Sequence, residues 1–258
     1  MATACAAALL TGCGGLGGGT TPAPSPTSTP SATPTVTPVP GRPLQEIREL
    51  LLEADSVNVA IFGDSTGDEM TEWPALWAQS MTSDRAVTLN RWLNGPASYE
   101  KRELSTEGAS RTLWNCSVSG WKPINFAEVV DDCLPQGADV VVISLGHNNN
   151  SDPTQTLPQL EALLGQIREE TSEQVPIVIT MQNPVTTPER LPAADEVTKN
   201  IAEWAIAHRY PVIDAYHAFV DAPGGPEGLL KDDGLHPNER GSQIWADAVT
   251  ETLTPWRE

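Results

Sequence analysis

The sequence predicts an α/β domain, in which helices cover both faces of a central parallel β-sheet. Two observations lead to this prediction. Short apolar runs rich in β-branched residues recur along the chain, and segments with the apolar spacing of helices lie between them. The chain has 258 residues, of which 39% are hydrophobic, so it can bury a core on both sides of such a sheet.

Five segments have the composition of buried strands. The first, VNVAIFG, is a β-branched run that ends in glycine, and ADVVVISLG repeats this profile. The segment RTLWNCSVSG is the weakest of the five. In chain order, the predicted strands are residues 57–63, 111–120, 138–146, 175–181 and 210–215.

Helical patterns precede, separate and follow these strands. The predicted helices are residues 44–54, 69–81, 124–134, 157–170, 194–208 and 239–253. Strands that alternate with helices form βαβ units, and open sheets of this kind place their sites outside the carboxyl ends of the strands. No internal repeat and no second domain is evident in the sequence.

The first residues have a different character from this domain. Residues 2–12 are small and mostly apolar, and Leu10-Thr11-Gly12-Cys13 resembles the lipobox of bacterial lipoproteins, in which the cysteine is lipidated. No Lys or Arg precedes the apolar stretch, although a secretory signal begins with a basic region. The alternative is an unstructured Ala-rich leader. The resemblance predicts an exported protein, secreted or anchored to the cell surface through Cys13 and not spanning the membrane.

Residues 14–43 predict a tether. Pro, Thr, Ser and Gly dominate the segment, and Arg42 is its only charged residue. Such a composition cannot bury enough apolar surface to fold, and its prolines keep the chain extended. We therefore expect a leader at residues 1–13, a disordered tether at 14–43 and a single domain at 44–258.

The charge balance excludes several classes of function. The chain carries 34 acidic and 15 basic residues, and every acidic residue follows the predicted tether. This balance argues against binding to nucleic acid or to an anionic membrane, because both need basic patches. The sequence also lacks the GxGxxG and GK[ST] loops of nucleotide-binding domains. We expect no cofactor.

The four cysteines predict a disulfide and no metal site. Cys5 lies in the leader and Cys13 in the lipobox-like segment, which leaves Cys116 and Cys133. In an exported protein this pair favours a disulfide, worth roughly 3 kcal/mol for a loop of that size. Two buried free thiols are the alternative. Two cysteines without a CxxC motif or clustered histidines are a poor metal site.

Residues 62–67, FGDSTG, contain a G-x-S-x-G centred on Ser65. This motif marks the nucleophile elbow of α/β-hydrolases, in which an earlier strand provides the loop that completes the oxyanion hole. Only the predicted helix at 44–54 lies between the tether and the strand that leads to Ser65. The match to the elbow is therefore accidental.

The same residues resemble block I of the GDSL, or SGNH, hydrolases, whose Gly-Asp-Ser carries the nucleophile. Three further blocks follow in the family's order. SVSGW supplies Gly120, SLGHNN supplies Gly146 and Asn148, and DDGLHPNERG supplies Asp233 and His236. The resemblance spans roughly residues 57–250. One departure is Asn149, where the family's G-x-N-D block has aspartate.

The last block, D-x-x-H, occurs twice in the chain. Asp214-Ala215-Tyr216-His217 fits it as well as Asp233-Gly234-Leu235-His236 does. We prefer the second copy because its continuation, HPNERG before the final predicted helix, resembles the family's usual context. Asp214 ends a predicted strand, which suits a structural role.

The resemblance implies a role for each matched residue. Ser65 would be the nucleophile, His236 the general base and Asp233 the group that orients the imidazole. The backbone N–H groups of Ser65 and Gly120 and the side-chain amide of Asn148 would form the oxyanion hole. As alternatives, His236 is a surface histidine, Gly120 a plain turn glycine, and Asn149 or Asn150 takes the place of Asn148.

Other residues near these blocks are candidates for lining the substrate cleft. We expect the cleft between the helix at 69–81 and a loop at 94–110. A solvent-facing loop position is the alternative for His147, and a place in the core is the alternative for the tryptophans. The candidates are Asp64, Trp73, Trp121, His147 and Asn149.

The resemblance also implies the fold and the reaction. The expected fold is a three-layer α/β/α, flavodoxin-like sandwich, and the expected protein is a monomeric serine esterase that needs neither metal nor nucleotide. Acetyl or short acyl groups on carbohydrates are the expected substrates, with lipids left open. The alternatives are an O-acyltransferase that uses a sugar hydroxyl as acceptor, and a non-catalytic binding lipoprotein on the same fold.

Overall fold

The structure is a computed structural model that describes residues 40–93 and 98–255. The predicted leader, with Cys5 and Cys13, and most of the predicted tether lie outside the described residues. The end of the predicted tether is described, and it packs on the domain. Gly41 donates its backbone N–H to the carbonyl of His208 at 2.9 Å, and Arg42 pairs with Glu46. The packed chain therefore begins before residue 44.

The centre of the fold is a seven-stranded sheet with the order β3-β2-β4-β1-β5-β6-β7. All neighbouring strands run parallel except the antiparallel pair β2–β3. The strands are β1 (Ser56–Gly63), β2 (Arg85–Trp92), β3 (Tyr99–Ser105), β4 (Ala109–Ser117), β5 (Val140–Ser144), β6 (Ile177–Met181) and β7 (Val212–Asp214).

The parallel strands other than β2 have the flavodoxin-like arrangement. With the β2–β3 hairpin set aside, the order is β4-β1-β5-β6-β7, which is the 2-1-3-4-5 order of that fold class. The strand β1 therefore lies in the middle of the sheet, and its carboxyl end is a place where a site is expected. The predicted α/β fold with a central parallel sheet is confirmed.

The hairpin β2–β3 was not predicted from the sequence. Residues 94–110 were expected to be a loop beside the cleft, but Tyr99–Ser105 form β3 at the edge of the sheet. Its sequence, YEKRELS, is mostly charged and none of its residues is buried. Charged side chains are common on edge strands, and they remove the apolar pattern by which a strand is recognised.

In the described part of the chain, six α-helices cover the two faces of the sheet. They are α1 (Leu44–Glu53), α2 (Trp73–Ser80), α3 (Thr156–Glu170), α4 (Leu191–Ala207), α5 (Ala215–Val220) and α6 (Glu239–Leu253). Helices α1, α2, α5 and α6 share one apolar core, and α3 and α4 share the other. The helix predicted at 124–134 is instead a short 3-10 helix, Pro123–Glu128, followed by turns.

The alternation of side chains in β1 explains these two cores. Val59 and Ile61 belong to the first core, and Ala60 and Phe62 belong to the second. Because successive side chains of a strand point to opposite faces, a strand buried on both faces is apolar throughout. This is the pattern that identified β1 in the sequence.

Trp73 belongs to the first core and not to the substrate cleft. Its side chain is fully buried, and its ring stacks on that of Trp245 with 5.7 Å between the centroids. The proposal that Trp73 lines the cleft is therefore wrong. The apolar spacing of α2 places this tryptophan on the face that packs against α6.

A disulfide joins Cys116 at the end of β4 to Cys133, with 5.5 Å between the Cα atoms. Both cysteines are fully buried in the second core. None of the helices in the described ranges is long and apolar enough to cross a bilayer.

Candidate active site

Ser65 lies two residues beyond β1, at the carboxyl edge of the sheet, where it meets a loop from the end of the chain. His236 Nε2 lies 2.8 Å from Ser65 Oγ, and His236 Nδ1 lies 2.6 Å from Asp233 Oδ2. The carboxylate can only accept, so Nδ1 carries a proton. In the neutral ring Nε2 is then free to accept the hydroxyl proton of Ser65.

The loop that carries Asp233 and His236 is fixed by its own backbone. The N–H groups of Leu235 and His236 donate to Asp233 Oδ1, each at 2.9 Å. The turn between the two residues needs glycine, because Gly234 has a φ of +63° and an added Cβ would lie 2.7 Å from Thr186 Oγ1. One short segment therefore fixes the positions of both the Asp233 carboxylate and the His236 imidazole.

These contacts determine the charge of Asp233. Burial raises the pKa of this carboxyl group, but hydrogen bonds from the His236 ring and from the backbone N–H groups of His236 and Leu235 outweigh it. The net effect lowers the pKa of Asp233 to about 2. At neutral pH the carboxylate is charged and can stabilise an imidazolium.

The first D-x-x-H copy has the same local geometry in a different place. His217 Nδ1 lies 2.7 Å from Asp214 Oδ2, and the His217 N–H donates to Asp214 Oδ1 at 2.9 Å. Asp214 caps the amino end of α5, and both side chains are exposed. Ser65 contacts His236 and not His217, so the structure brings the preferred second copy to the serine.

Gly120 and Asn148 lie on neighbouring loops that contact each other. Gly120 is exposed in the turn after β4, with a φ of +77°. Asn148 Nδ2 donates to the carbonyl of Trp121 at 3.0 Å. An amide nitrogen carries two hydrogens, so the second N–H of Asn148 remains available beside the turn of Gly120.

The side chain of Asn149, next to Asn148, has another partner. Asn149 is buried, and its Nδ2 donates to Gln159 Oε1 of α3 at 3.1 Å. Its predicted place in the substrate cleft is therefore wrong, since the side chain ties this loop to the helix. Asn148 and Asn150 are both half-buried, so the choice between these two still rests on the G-x-N spacing from Gly146, which favours Asn148.

Asp64 also points into the protein and not into the cleft. It is buried, and its Oδ1 accepts from the N–H and the hydroxyl of Thr66 at 3.1 and 2.8 Å. Its Oδ2 accepts from Gln182 Nε2 at 3.0 Å. The expectation that Asp64 contacts substrate is wrong, and its contacts instead hold the loop that carries Ser65.

His147 lies beneath the site and is buried. Its Nε2 is 2.9 Å from the carbonyl of Asn183, and because a carbonyl only accepts, Nε2 carries the proton. Burial lowers the pKa of His147, so the ring is neutral at neutral pH. The residue lines a depression beside Asn148, but its ring nitrogens do not face solvent as the loop alternative required.

Trp121 lies next to Gly120 at the rim of the site and is half-buried. Its ring makes edge contacts with Trp92 and Phe126, with centroids 5.4 and 4.9 Å away. These contacts fix the ring, and its exposed part is on the same loop as Gly120. That Trp121 lines the substrate cleft stays a prediction.

A model of the GDSL-like lipase/acylhydrolase family matches residues 61–244, well over half of the chain. The chain belongs to this family. The protein is therefore a hydrolytic enzyme, and the match covers the end of the strand before Ser65, the loop of Asn148 and the loop of His236. No protein of curated function has a significantly similar sequence.

Solved structures of family members and esterases share the fold. The lipase/acylhydrolase from Enterococcus faecalis is 19% identical, covering 79% of this chain and 99% of that one, with a TM-score of 0.56. An acetylxylan esterase from Geobacillus stearothermophilus is 17% identical, covering 78% and 95%, with a TM-score of 0.56. A carbohydrate esterase family 3 protein from Talaromyces cellulolyticus is 19% identical, covering 76% and 96%, with a TM-score of 0.54.

Two open depressions flank the family's motif residues. One, of about 240 Å³, is lined by Thr187, Glu189, Arg190, Asp233, Leu235 and His236. The other, of about 350 Å³, is lined by His147, Asn148, Asn150, Ser151, Glu189, Arg190 and Ala193. A larger cavity of about 720 Å³ lies elsewhere, between α1 and the segment before β6. It contains none of the motif residues, so we assign the site to the depressions.

Glu72 is a buried carboxyl group near the site that the sequence did not single out. It accepts from the N–H of Glu69 at 3.0 Å, and Lys231 Nζ lies 3.9 Å away. Burial, with a contribution from Asp68, raises the pKa of Glu72 to about 7 despite that hydrogen bond and the lysine. The pair links the segment after Ser65 to the loop of Asp233.

Gln182 and Asn183, which directly follow β6, were also not predicted from the sequence. Both side chains are buried and contact the loops of the site. The feature of the sequence that could have indicated them is the presence of two amide side chains at the carboxyl end of a predicted strand, where α/β sheets place their sites. Across residues 40–93 and 98–255, no group of three or more His, Cys, Asp or Glu side chains could hold a metal ion.

Proposed function

We propose that the protein is a serine esterase that removes acetyl or other short acyl groups, with acylated carbohydrates as its substrates. The observation that carries this proposal is the hydrogen-bonded chain from Ser65 Oγ through His236 to Asp233. A serine hydroxyl becomes a good nucleophile only when a base within hydrogen-bond reach takes its proton.

The proposed reaction begins when Ser65 Oγ attacks the ester carbonyl and His236 Nε2 takes the hydroxyl proton. Asp233 stabilises the imidazolium that forms. The oxyanion is held by the N–H groups of Ser65 and Gly120 and by the free N–H of Asn148, and one such donor is worth about 3–4 kcal/mol. His236 then protonates the leaving alcohol, and water activated by the same imidazole hydrolyses the acyl-enzyme.

The lining of the two depressions supports a short acyl group and a polar alcohol. Among the described residues, Leu235 and Ala193 are the only apolar ones that line them. A fatty acyl chain gains about 0.8 kcal/mol for each CH₂ that it buries, and these depressions offer it little apolar surface. The structural neighbours that are named as acetylxylan and carbohydrate esterases agree with this substrate class.

The test is the hydrolysis of p-nitrophenyl acetate, butyrate and octanoate by the full-length protein. We expect kcat/KM to fall from acetate to octanoate. Ser65→Ala should lower the activity by at least about 10³-fold, whereas Ser83→Ala, at an exposed serine outside the site, should leave it unchanged. A folded wild-type protein without activity on any of these esters would contradict the general esterase proposal.

Transfer to a sugar hydroxyl is the alternative, because the same acyl-enzyme can be attacked by water or by another alcohol. Product analysis with acetylated xylan and added glycerol separates the two. Free acetate as the main product supports the esterase, and acetylated glycerol as the main product would assign the protein as an acyltransferase.

A further inference from the structure

The side chains of the proposed reaction lie on three separate loops, apart from the turn of Gly120, which contributes a backbone N–H. One follows β1 and holds Ser65, one follows β5 and holds Asn148, and one precedes α6 and holds His236. Catalysis by such a set needs the three loops in a fixed mutual position, because an error of about 1 Å costs roughly 10²-fold in rate. Gln182 and Asn183, at the end of β6, contact all three.

The side-chain amide of Gln182 bridges the first two loops. Its Oε1 accepts from the backbone N–H of His147 at 2.9 Å, and its Nε2 donates to Asp64 Oδ2 at 3.0 Å. Nε2 also lies 3.2 Å from the carbonyl of Ser144. The amide cannot be reversed, since only its oxygen can accept from an N–H and only its nitrogen can donate to a carboxylate.

The positions of these partners connect Gln182 to the chemistry. Asp64 immediately precedes Ser65, and His147 immediately precedes Asn148. Gln182 is only 3% exposed, so water does not replace these bonds when they are lost. The bridge therefore sets the distance between the nucleophile and the side-chain donor of the oxyanion hole.

Asn183 adds the third loop. Its Nδ2 donates to the carbonyl of Leu235 at 2.9 Å, and Leu235 lies between Asp233 and His236. The backbone carbonyl of Asn183 accepts from His147 Nε2 at 2.9 Å. Asn183 thus joins the loop of His236 to the loop of His147, which Gln182 in turn connects to the loop of Ser65.

We propose that Gln182 is a positioning residue that holds Ser65 and Asn148 at a fixed distance, so that its loss reduces the stabilisation of the transition state and leaves substrate binding unchanged. The inference rests on the proposed function, since it concerns the same acyl transfer. Asn183 extends the same arrangement to the loop of His236.

The test is Gln182→Glu, which keeps the size of the side chain and its acceptor for the N–H of His147. An ionised carboxylate at this position cannot donate to Asp64 and repels it, whereas the protonated carboxyl group can donate in place of the amide. Burial and the charge of Asp64 raise the pKa of the new carboxyl group. The kcat of the variant should therefore approach that of the wild type near pH 6 and fall by about 10- to 100-fold by pH 9, while KM changes little.

Two controls separate positioning from charge and from folding. Gln79→Glu adds the same charge at an exposed glutamine of α2 and should follow the wild-type profile. Gln182→Met removes both hydrogen bonds at similar size and should lower kcat at every pH without the alkaline fall. Active-site titration and the unfolding temperature, measured for each variant at pH 6 and 9, normalise kcat to folded protein.

A wild-type pH profile in Gln182→Glu, or a loss that appears in KM and not in kcat, would overturn the proposal. Failure of both Gln182 variants to fold would also overturn it, because the residue would then serve stability. An inactive wild type in the same assay contradicts the proposed function itself, so the two failures are distinguishable.

Discussion

At the scale of single residues, position on the sheet separates two histidines that have the same local structure. Asp214 with His217 and Asp233 with His236 repeat the same spacing, the same ring-to-carboxylate contact and the same backbone cap. Only His236 reaches Ser65. A four-residue motif therefore supplies an oriented imidazole, and the fold decides whether a nucleophile is there to use it.

This comparison gives a matched pair of variants. Asp233→Asn should lower kcat by roughly 10³- to 10⁴-fold, because the amide cannot stabilise the imidazolium and favours the wrong tautomer of His236. Asp214→Asn changes the equivalent residue of the other copy and keeps a good helix cap, so its kcat should equal that of the wild type. Steady-state kinetics on p-nitrophenyl acetate measures both. Equal losses in the two variants would contradict the assignment of the base.

Glu72 predicts a pH dependence of stability. The pKa of its carboxyl group is about 7 in the folded protein and near the usual 4.5 when unfolded. The contribution of Glu72 to the free energy of unfolding is therefore at its full value below about pH 4.5 and is lost as the pH rises through 7. A shift of this size corresponds to about 3 kcal/mol.

The measurement is urea unfolding of the wild type and Glu72→Gln at pH 5 and pH 8. The glutamine still accepts from the N–H of Glu69 and carries no charge, so the variant should gain stability relative to the wild type as the pH rises. Glu107→Gln, at an exposed carboxyl group elsewhere, serves as the control and should show the pH dependence of the wild type. A parallel pH dependence in the wild type and Glu72→Gln would contradict the shifted pKa.

At the scale of elements, the site is built from loops at the carboxyl ends of β1, β4 and β5 together with the loop before α6. The sequence predicted β1 and β5 clearly because each is buried on both faces and is mostly apolar. It predicted β4 less clearly because the sequence of this strand, ASRTLWNCS, mixes polar with apolar residues. It did not predict β3, whose charged residues lie at the sheet edge. It offered Trp73 for the cleft because the apolar spacing of α2 marks a buried face without showing whether that face packs on the core or lines a cleft.

The contacts between loops were also beyond the sequence. The GDSL-type blocks identify Ser65, Asn148 and His236 because the chemistry fixes those residue types. The partners of Gln182 and Asn183 are far away in the chain, so no local pattern indicates them. Asp64 and Asn149 belong to motif blocks but turn inward, which a motif cannot show.

The disulfide affects the element that leads to Gly120. Cys116 is the penultimate residue of β4 and lies four residues before this glycine, and its partner Cys133 lies in the turns after Pro123–Glu128. We expect complete reduction to lower stability by roughly 3 kcal/mol in the chain-entropy model, or about 6–12 °C in Tm. Calorimetry with and without reductant measures this. The double variant Cys116→Ala with Cys133→Ala should not respond to reductant. If thiol titration shows that reduction of the wild type is complete and its Tm is nevertheless unchanged, the expectation is contradicted.

At the scale of the whole molecule, the chain combines a neutral amino-terminal part with a strongly acidic α/β domain. The formal net charge is −19, which disfavours polyanionic partners and keeps the domain soluble near other anionic surfaces. The lipobox-like Cys13 and the Pro-rich residues after it remain a prediction of anchoring at the cell surface. An esterase held in that way would act on acylated polymers and saccharides outside the cell, in agreement with the charged and amide side chains that line the depressions beside His236.

The central claim is that Ser65 is a nucleophile activated by His236, and covalent labelling tests it most directly. The full-length protein is treated with diethyl p-nitrophenyl phosphate, and its peptides are mapped by mass spectrometry. We predict one diethylphosphoryl group on Ser65, slower labelling in His236→Gln and none at other serines. Label on a different residue, with ester hydrolysis retained in Ser65→Ala, would contradict the account.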